Sequence, residues 1–326
     1  MKSFLTIVIA LTVNAHAQLP ERIAILGCHR QQKPSPSLAS YVAARPDVCI
    51  WIGDNVYADT TKDPEFVRSC HNELGAKPDF QRLKQISEFL PTWDDHDYGL
   101  NDAGANYKYK KETKAIWREF WDMEDRVPEE QDGIYYERRY NEGDKSLQIL
   151  MLDPRYNRAE PKSGGDTLGE AQWKWLAAKL REPATLRFIV SGYQILLDPD
   201  TGSETWAHFP EARERLFRTI REAKAEGVVF VTGDQHYGEV LRLRDAIGYD
   251  AIELQFAGIN QNEAPELATH RVSPSALSLN SMGIIDLQWN TDDHQYPHLL
   301  FSVTDTDTGK KELTYRVNFS ELRITR

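Results

Sequence analysis

The sequence predicts an α/β protein in which helices lie outside two packed sheets. Three observations point there: a β-α-β opening, apolar strands alternating with helical stretches as far as residue 238, and a run of strands without clear helices beyond it. Residues 22–26, RIAIL, form the first strand and stop at Gly27-Cys28. Residues 37–45 read as a helix and 48–52 as a second strand, apolar on both faces as parallel strands are. Helical stretches near 63–74 and 79–86 lead into EFLPTWDDHD, a third apolar strand that ends in acid. Residues 133–153 read as a hairpin, GIYYERRY and SLQILMLD around the turn Glu142-Gly143-Asp144, and it too ends on an acid, Asp153. A helix over 169–181 carries Trp173, Leu176 and Leu180 on one face and precedes the strand LRFIVSGYQ. A long amphipathic helix over 211–226 leads to VVFVTGDQHYG, after which come EVLRLR, DAIELQFAG, GIIDLQW, HLLFSVTD and KELTYRVNFS. No internal repeat or Pro/Ser-rich linker interrupts the chain, so residues 18–326 are expected to form one domain.

A chain of 326 residues with 40% hydrophobic content can fill a sizeable core. Residues 1–17, MKSFLTIVIALTVNAHA, combine a lysine at 2, an apolar run over 4–13 and Ala15-His16-Ala17 before Gln18, the pattern of a cleaved secretory signal. The apolar run is too short to span a bilayer, no later segment is long enough, and no cysteine follows the cleavage point to take lipid. The mature protein is therefore expected to be soluble and exported, to the periplasm or the medium. Its leader lacks an Arg-Arg pair, which points to general secretion and to metals loaded after export. The formal net charge of −11 disfavours nucleic acid and anionic membranes as partners. Only three cysteines occur, at 28, 49 and 70, so this is not a disulfide scaffold, and no spacing rule supports a Cys49 to Cys70 bridge. An odd thiol in an exported protein needs a reason, and metal ligation is one.

The stretch CIWIGDNVYADT, residues 49–60, shows the recurring event: an apolar strand stops at glycine and delivers a carboxylate, with a tyrosine three residues on. In open α/β sheets the carboxyl ends of strands are where ligands bind. Cys28, Asp54 with Tyr57, Asp94-Asp95-His96-Asp97, Asp153 with Arg155, and Asp234 with His236 all stand at such ends, so they are expected to converge on one edge of a sheet. Thiolate, phenolate and imidazole suit transition metals, whereas all-oxygen sets suit calcium, magnesium or manganese, so the mixture is able to tell two ions apart.

These residues resemble the alkaline phosphatase D family, the PhoD-like branch of the calcineurin-like metallophosphoesterases. The likeness runs from GC at 27–28 through GDNVYAD at 53–59, WDDHDYGLNDAG at 93–104 and LDPRYNR at 152–158 to GDQHYGEV at 233–240. It implies a four-layer α/β/β/α metallophosphoesterase sandwich with two mixed sheets. It also implies hydrolysis of a small-molecule phosphate ester, monoester or diester, with Fe3+ and Ca2+ as cofactors and room for another divalent ion at the second site. Carried over by position, Cys28 takes the slot of the superfamily's D-x-H motif, Asp54 bridges the two ions, and Tyr57 binds the ferric ion as phenolate. His236 completes that ion's shell, while Asp95 and Asp234 hold the harder second ion. Asp95 stands where the superfamily has Asn and Asp234 where it has His, and both changes add a carboxylate, which favours a hard cation over zinc. His96 follows Asp95 as the superfamily's catalytic His follows its Asn, and is expected to donate a proton or contact the phosphate. Arg155 is the candidate phosphate clamp, because a planar guanidinium binds two oxygens of a tetrahedral anion, and Arg158 is the second candidate. The chemistry would be two-metal hydrolysis, in which the cations activate water and neutralise charge on the phosphate oxygens.

Other residues carry plainer readings. Cys49, among apolar neighbours, reads as core. Asp94 ranks behind Asp95 as a ligand, and Asp94 and Asp97 otherwise orient His96 or cap the loop. Asp153 either orients Arg155 or sits in a turn. Gln194 stands where the superfamily places a metal-binding His and is a poorer transition-metal ligand. Asn101, Asp102 and Asn106 bring oxygen donors to the loop after His96. His71, His208, His270, His294 and His298 lack a motif and read as surface or core. Three rival functions fit the same residues: cleavage of diesters or phospholipids on the same centre, a cysteine hydrolase with Cys28 as nucleophile, and an exported binding protein on a decayed scaffold. Intact candidate ligands in every motif argue against decay.

Overall fold

A computed structural model describes residues 18–265, 268–273, 280–291 and 295–324. The expected leader, residues 1–17, and His294 lie outside the described residues. The chain runs β1 (Arg22–Leu26), α1 (Pro36–Ala44), β2 (Val48–Trp51), α2 (Glu65–Gly75), α3 (Pro78–Ile86), β3 (Glu88–Pro91), the single turn α4 (Asp95–Tyr98) and α5 (Lys110–Phe120). It continues with β4 (Tyr136–Glu142), β5 (Lys145–Met151), α6 (Glu170–Leu180), β6 (Leu186–Ser191), α7 (Pro210–Ala223), β7 (Val228–Thr232), β8 (Gly238–Leu243) and β9 (Ala251–Phe256). Strands β10 (Ser281–Gln288), β11 (His298–Asp305) and β12 (Lys311–Asn318) follow.

Two six-stranded mixed sheets result, ordered β12-β11-β10-β1-β2-β3 and β4-β5-β6-β7-β9-β8. Strands β1, β2 and β3 run parallel, as do β5, β6, β7 and β9. Strands such as VCIW, LRFIVS and VVFVT are buried at every position, because helices cover one face of each sheet and the other sheet covers the second. Helix α1 packs on α3 and β10, α2 on α5, and α6 on α7. The sheets touch closely: a Cβ at Gly283 of β10 would come within 2.6 Å of the Phe256 ring of β9. This is the expected four-layer α/β/β/α sandwich.

Helix α5 is an addition to the sequence reading. Its buried Thr113, Ile116 and Trp117 keep helical spacing, but the charged KKETK start conceals it. Helix α7 ends at Ala223, short of the expected residue 226, because Lys224 adopts a left-handed conformation at φ 51° and closes the last turn. All three cysteines are buried free thiols, so Cys49 is core and no Cys49 to Cys70 bridge exists.

One expectation about placement needs correction. The site loops do not gather on the edge of a single sheet. Cys28, Asp54 and Asp95 follow β1, β2 and β3 of the first sheet, whereas Asp153, Gln194 and Asp234 follow β5, β6 and β7 of the second. Face-to-face packing brings the carboxyl ends of both parallel sets together.

Candidate active site

The strand ends hold an unusual backbone. Cys28, Asp54 and Asp234 all take positive φ, at 50°, 52° and 71°, a conformation rare outside glycine and enriched at functional sites. Hydrogen bonds hold it in place: Cys28 N–H donates to Gly53 O at 3.2 Å and His29 N–H to Asp54 O at 2.8 Å. Asp97, in the third position of α4, accepts from the backbone N–H groups of Asp54 and Asn55 at 3.1 and 3.2 Å and from the Asn55 amide at 2.7 Å. Asp97 therefore fixes the Asp54 turn and α4 to one another. Gly53, at φ 112°, has no room for a side chain, since a Cβ would stand 2.7 Å from the backbone nitrogen of Asp94.

The geometry gathers the expected ligands. Ligand atoms of Cys28, Asp54 and His236 all lie within 4.8 Å of one another, and so do those of Asp54, Asp94, Asp95 and Asp234. Asp54 belongs to both groups. Tyr57 joins the first, its hydroxyl 2.9 Å from His236 Nε2, and its backbone N–H donates to Gln31 Oε1 at 2.9 Å.

Charge balance tests whether cations fit. Burial, then the neighbouring acids, push the carboxyls of Asp54 and Asp234 well above the usual carboxylate range. Asp94 is pushed up to about 8 by burial and by Asp95, against the pull of Arg155. One Asp94 oxygen, Oδ2, is buried with no hydrogen-bond partner. Burial and the adjacent cationic groups keep His236 neutral, its pKa lowered to about 4, as a metal ligand requires. Crowded carboxylates, an orphaned oxygen and a neutral imidazole are a donor set that accepts cations.

His96 stands beside this centre. Its Nδ1 lies 2.9 and 2.8 Å from the two oxygens of Asp59, and its ring packs on Tyr57 with centroids 4.1 Å apart and the planes tilted by 32°. Burial lowers its pKa, but the Asp59 hydrogen bond and the charge of Asp95 outweigh that, and the net shift is upward. Arg30 covers the Tyr57 ring at 4.5 Å.

The arginines depart from expectation. Arg155 is wholly buried, its Nε donating to Asp94 Oδ1 at 2.5 Å and its Nη2 to Glu204 Oε2, with Asp95 4.0 Å away. Arg158 donates from Nη2 to the other oxygen of Glu204 and from Nη1 to Asp102 O at 2.8 Å. As the side chains stand, carboxylates hold Arg155 through Nε and Nη2, and its Nη1 is buried without a hydrogen-bond partner. Asp153 is a loop anchor, accepting from Trp93 Nε1 and from the backbone N–H groups of Ile134, Arg155 and Tyr156.

The centre opens into a cavity of about 670 Å3 lined by Asp54, Asp95, His96, Asp234 and His236 at its base and by Arg158, Lys162, Glu204 and Glu263 on its walls. Among the described lining side chains only Pro161 is apolar. Asn101, Asp102 and His208 also line it, whereas Asn106 is turned to Glu160. Gln194 Nε2 donates to Glu239 Oε1 at 2.9 Å, while its Oε1 is buried without a hydrogen-bond partner. His71 is core, and His298 is buried with Nδ1 2.8 Å from Tyr296 O. Sequence reading assigned no role to Asp59 or Glu204. Asp59 closes the GDNVYAD motif and was open to notice, but Glu204 lies in DPDTGSET, which carries no chemical signature.

The model of the PhoD-like phosphatase family matches residues 24–309. The chain belongs to the PhoD-like phosphatase family. It is thus a phosphoric ester hydrolase by family. Among solved structures, that of PhoD superposes at TM-score 0.63 with 14% identity, covering 94% of this chain and 74% of that one. The Plasmodium protein GAP50, described as the anchor in the inner membrane complex, superposes at 0.59 with 13% identity, covering 94% and 90%. Both likenesses show a shared fold. No curated protein matches the chain at a significant level. Within this PhoD-like phosphatase, no described helix is long and apolar enough to cross a membrane.

Proposed function

We propose that this PhoD-like phosphatase is exported and hydrolyses small, hydrophilic phosphate esters at a centre of two cations. The observation that carries the reading is Asp54, whose carboxylate belongs at once to the Cys28/His236 group and to the Asp94/Asp95/Asp234 group. Cys28, Tyr57 and His236 offer sulfur, phenolate and imidazole, a set matched to Fe3+, while Asp95 and Asp234, with the free oxygen of Asp94, suit Ca2+. Bound there, the cations would supply an activated water and offset charge on the phosphate oxygens. His96 donates a proton to the leaving oxygen, Asp59 holding its Nδ1 so that the other ring nitrogen does the transfer. Arg155 keeps Asp94 and Glu204 in place. A wall so poor in apolar side chains favours polar leaving groups over lipid tails.

Cys28 is a poor nucleophile in this setting. Its thiol donates to Asp234 O at 3.1 Å, and burial and neighbouring acids push its pKa well up. The leader supports export, and the mature protein is expected to begin at Gln18 on N-terminal sequencing. The test is to purify the mature protein without chelators, record metal content and visible absorption, and assay a phosphomonoester and a diester before and after metal removal. A tyrosinate-to-iron band, iron with calcium, and activity lost with the metals are expected. A colourless, metal-free protein that still hydrolyses and is killed by thiol alkylation would overturn the reading.

A further inference from the structure

The loop that follows Cys28 meets Tyr57 through two neighbouring residues, one on its backbone and one on its ring. Gln31 is buried, and its side-chain amide pairs with both backbone groups of Tyr57: Oε1 accepts from the N–H at 2.9 Å and Nε2 donates to the carbonyl at 3.1 Å. Arg30 lies over the ring of the same tyrosine, its guanidinium carbon 4.5 Å from the centroid. The backbone of Arg30 is itself gripped at two points. Asn260 Oδ1 accepts from its N–H at 2.8 Å and Asn260 Nδ2 donates to its carbonyl at 3.0 Å, which fixes where the side chain begins.

Nothing else claims that guanidinium. Arg30 is exposed, and among the described residues its side chain makes no hydrogen bond or ion pair, although acids crowd the neighbouring centre. A cation over an aromatic face is attracted by the electrons of the ring, so it acts most strongly on a ring that carries negative charge. Tyr57 would be such a ring when it ligates an ion as phenolate.

We propose that Arg30 is a positioning residue that acts through Tyr57: the guanidinium lowers the energy of the phenolate's ring electrons and so limits the charge that Tyr57 gives to its ion. Gln31 keeps the ring in place for that contact. An ion that receives less charge from its phenolate stays the stronger Lewis acid, which is what activation of water asks of it. This role rests on the proposed binding of Fe3+ by Tyr57 and adds no ligand to that set.

The test uses the mature protein loaded with Fe3+ and Ca2+, read by its visible absorption, its ferric/ferrous midpoint potential and its iron content. Arg30→Met keeps the length of the side chain and removes the charge. It should move the tyrosinate-to-iron band to longer wavelength by roughly 10 nm, the effect of an exposed cation–π interaction on a visible transition, and lower the potential with iron content unchanged. Arg30→Lys, which keeps a cation at the ring, should recover part of both shifts. Lys77→Met is the control for charge and loop support, because Lys77 Nζ donates to Lys33 O at 3.2 Å in the same loop, and it should leave the band in place. A band unmoved by Arg30→Met, a shift of equal size in Lys77→Met, or iron lost from Arg30→Met would overturn this role and leave the two-cation reading standing. A wild type that holds iron without the tyrosinate band would remove Tyr57 as a ligand and the role of Arg30 with it. A wild type that holds no iron would sink the ferric centre and this role together.

Discussion

Both oxygens of Asp59 lie within hydrogen-bond distance of His96 Nδ1, and Oδ1 also accepts the Asn101 N–H at 2.7 Å. A carboxylate so anchored fixes the tautomer and tilt of the imidazole, which is what a proton donor needs. His96→Ala is expected to lower kcat by about 10²- to 10⁴-fold, the range for loss of a general acid. Asp59→Asn should cost kcat roughly 10- to 100-fold, leave KM nearly unchanged and move the pH profile, which steady-state assays across pH would reveal. A purely structural Asp59 would lower both expression and melting temperature without moving the profile. His71 supports a different prediction. It is wholly buried in α2, bonded through Nδ1 to Val67 O at 2.9 Å, and burial lowers its pKa to about 4. A depressed folded-state pKa contributes stability that is present above about 6.5 and lost as pH falls toward 4, worth up to about 3 kcal/mol. His71→Leu should flatten the acid limb of the melting curve between those values.

At the scale of elements, the junction between β2 and α4 carries the site. Gly53 must take φ 112° against the backbone of Asp94, and Asp97 ties the following turn back to α4. Gly53→Ala is expected to destabilise by about 2 kcal/mol or more, since it combines a steric overlap with a disfavoured φ, and to lower metal content because Asp54 moves with the turn. Normal metal content in a folded Gly53→Ala protein would refute that coupling. Helix α5 buries Trp117 edge to face on Trp93, the residue whose indole N–H holds Asp153. Trp117→Ala should cost about 3–5 kcal/mol by chemical denaturation and disturb the Arg155 loop. Strand ends were legible from apolar runs that stop at glycine and acid. Helix α5 was overlooked because its charged exposed face outnumbers its apolar stripe, although the stripe has the right period.

For the molecule as a whole, the sandwich concentrates acids where two sheets end. Removing cations exposes that repulsion, so chelation should lower the melting temperature, and by more at pH 8 than at pH 5. The sign follows from raised folded-state values at Asp94, about 8, and Asp97, about 7: the metal-free protein loses stability as pH rises through them. Metal bound to the folded state alone adds stability in proportion to the logarithm of its concentration over its dissociation constant. Calorimetry of the chelated and reloaded protein at both pH values checks this, and an unchanged melting temperature would speak against a metal centre.

The amino-acid sequence by itself determined the α/β class, nearly all the strands and the residue types that meet at the centre, because hydrophobic period and strand-end chemistry are local properties. Asp54, Tyr57, Asp95, Asp234 and His236 were legible for that reason. Only the tertiary structure decided that two sheets, not one, supply the site; the bridging place of Asp54 was expected from the resemblance, and the fold brings its ligand atoms into both groups. It alone placed Glu204 between Arg155 and Arg158, which stand 49 and 46 residues away in sequence. Pairing of that kind depends on which loops the packed sheets bring face to face, and a carboxylate in a polar loop carries no periodic or compositional mark of its future partner.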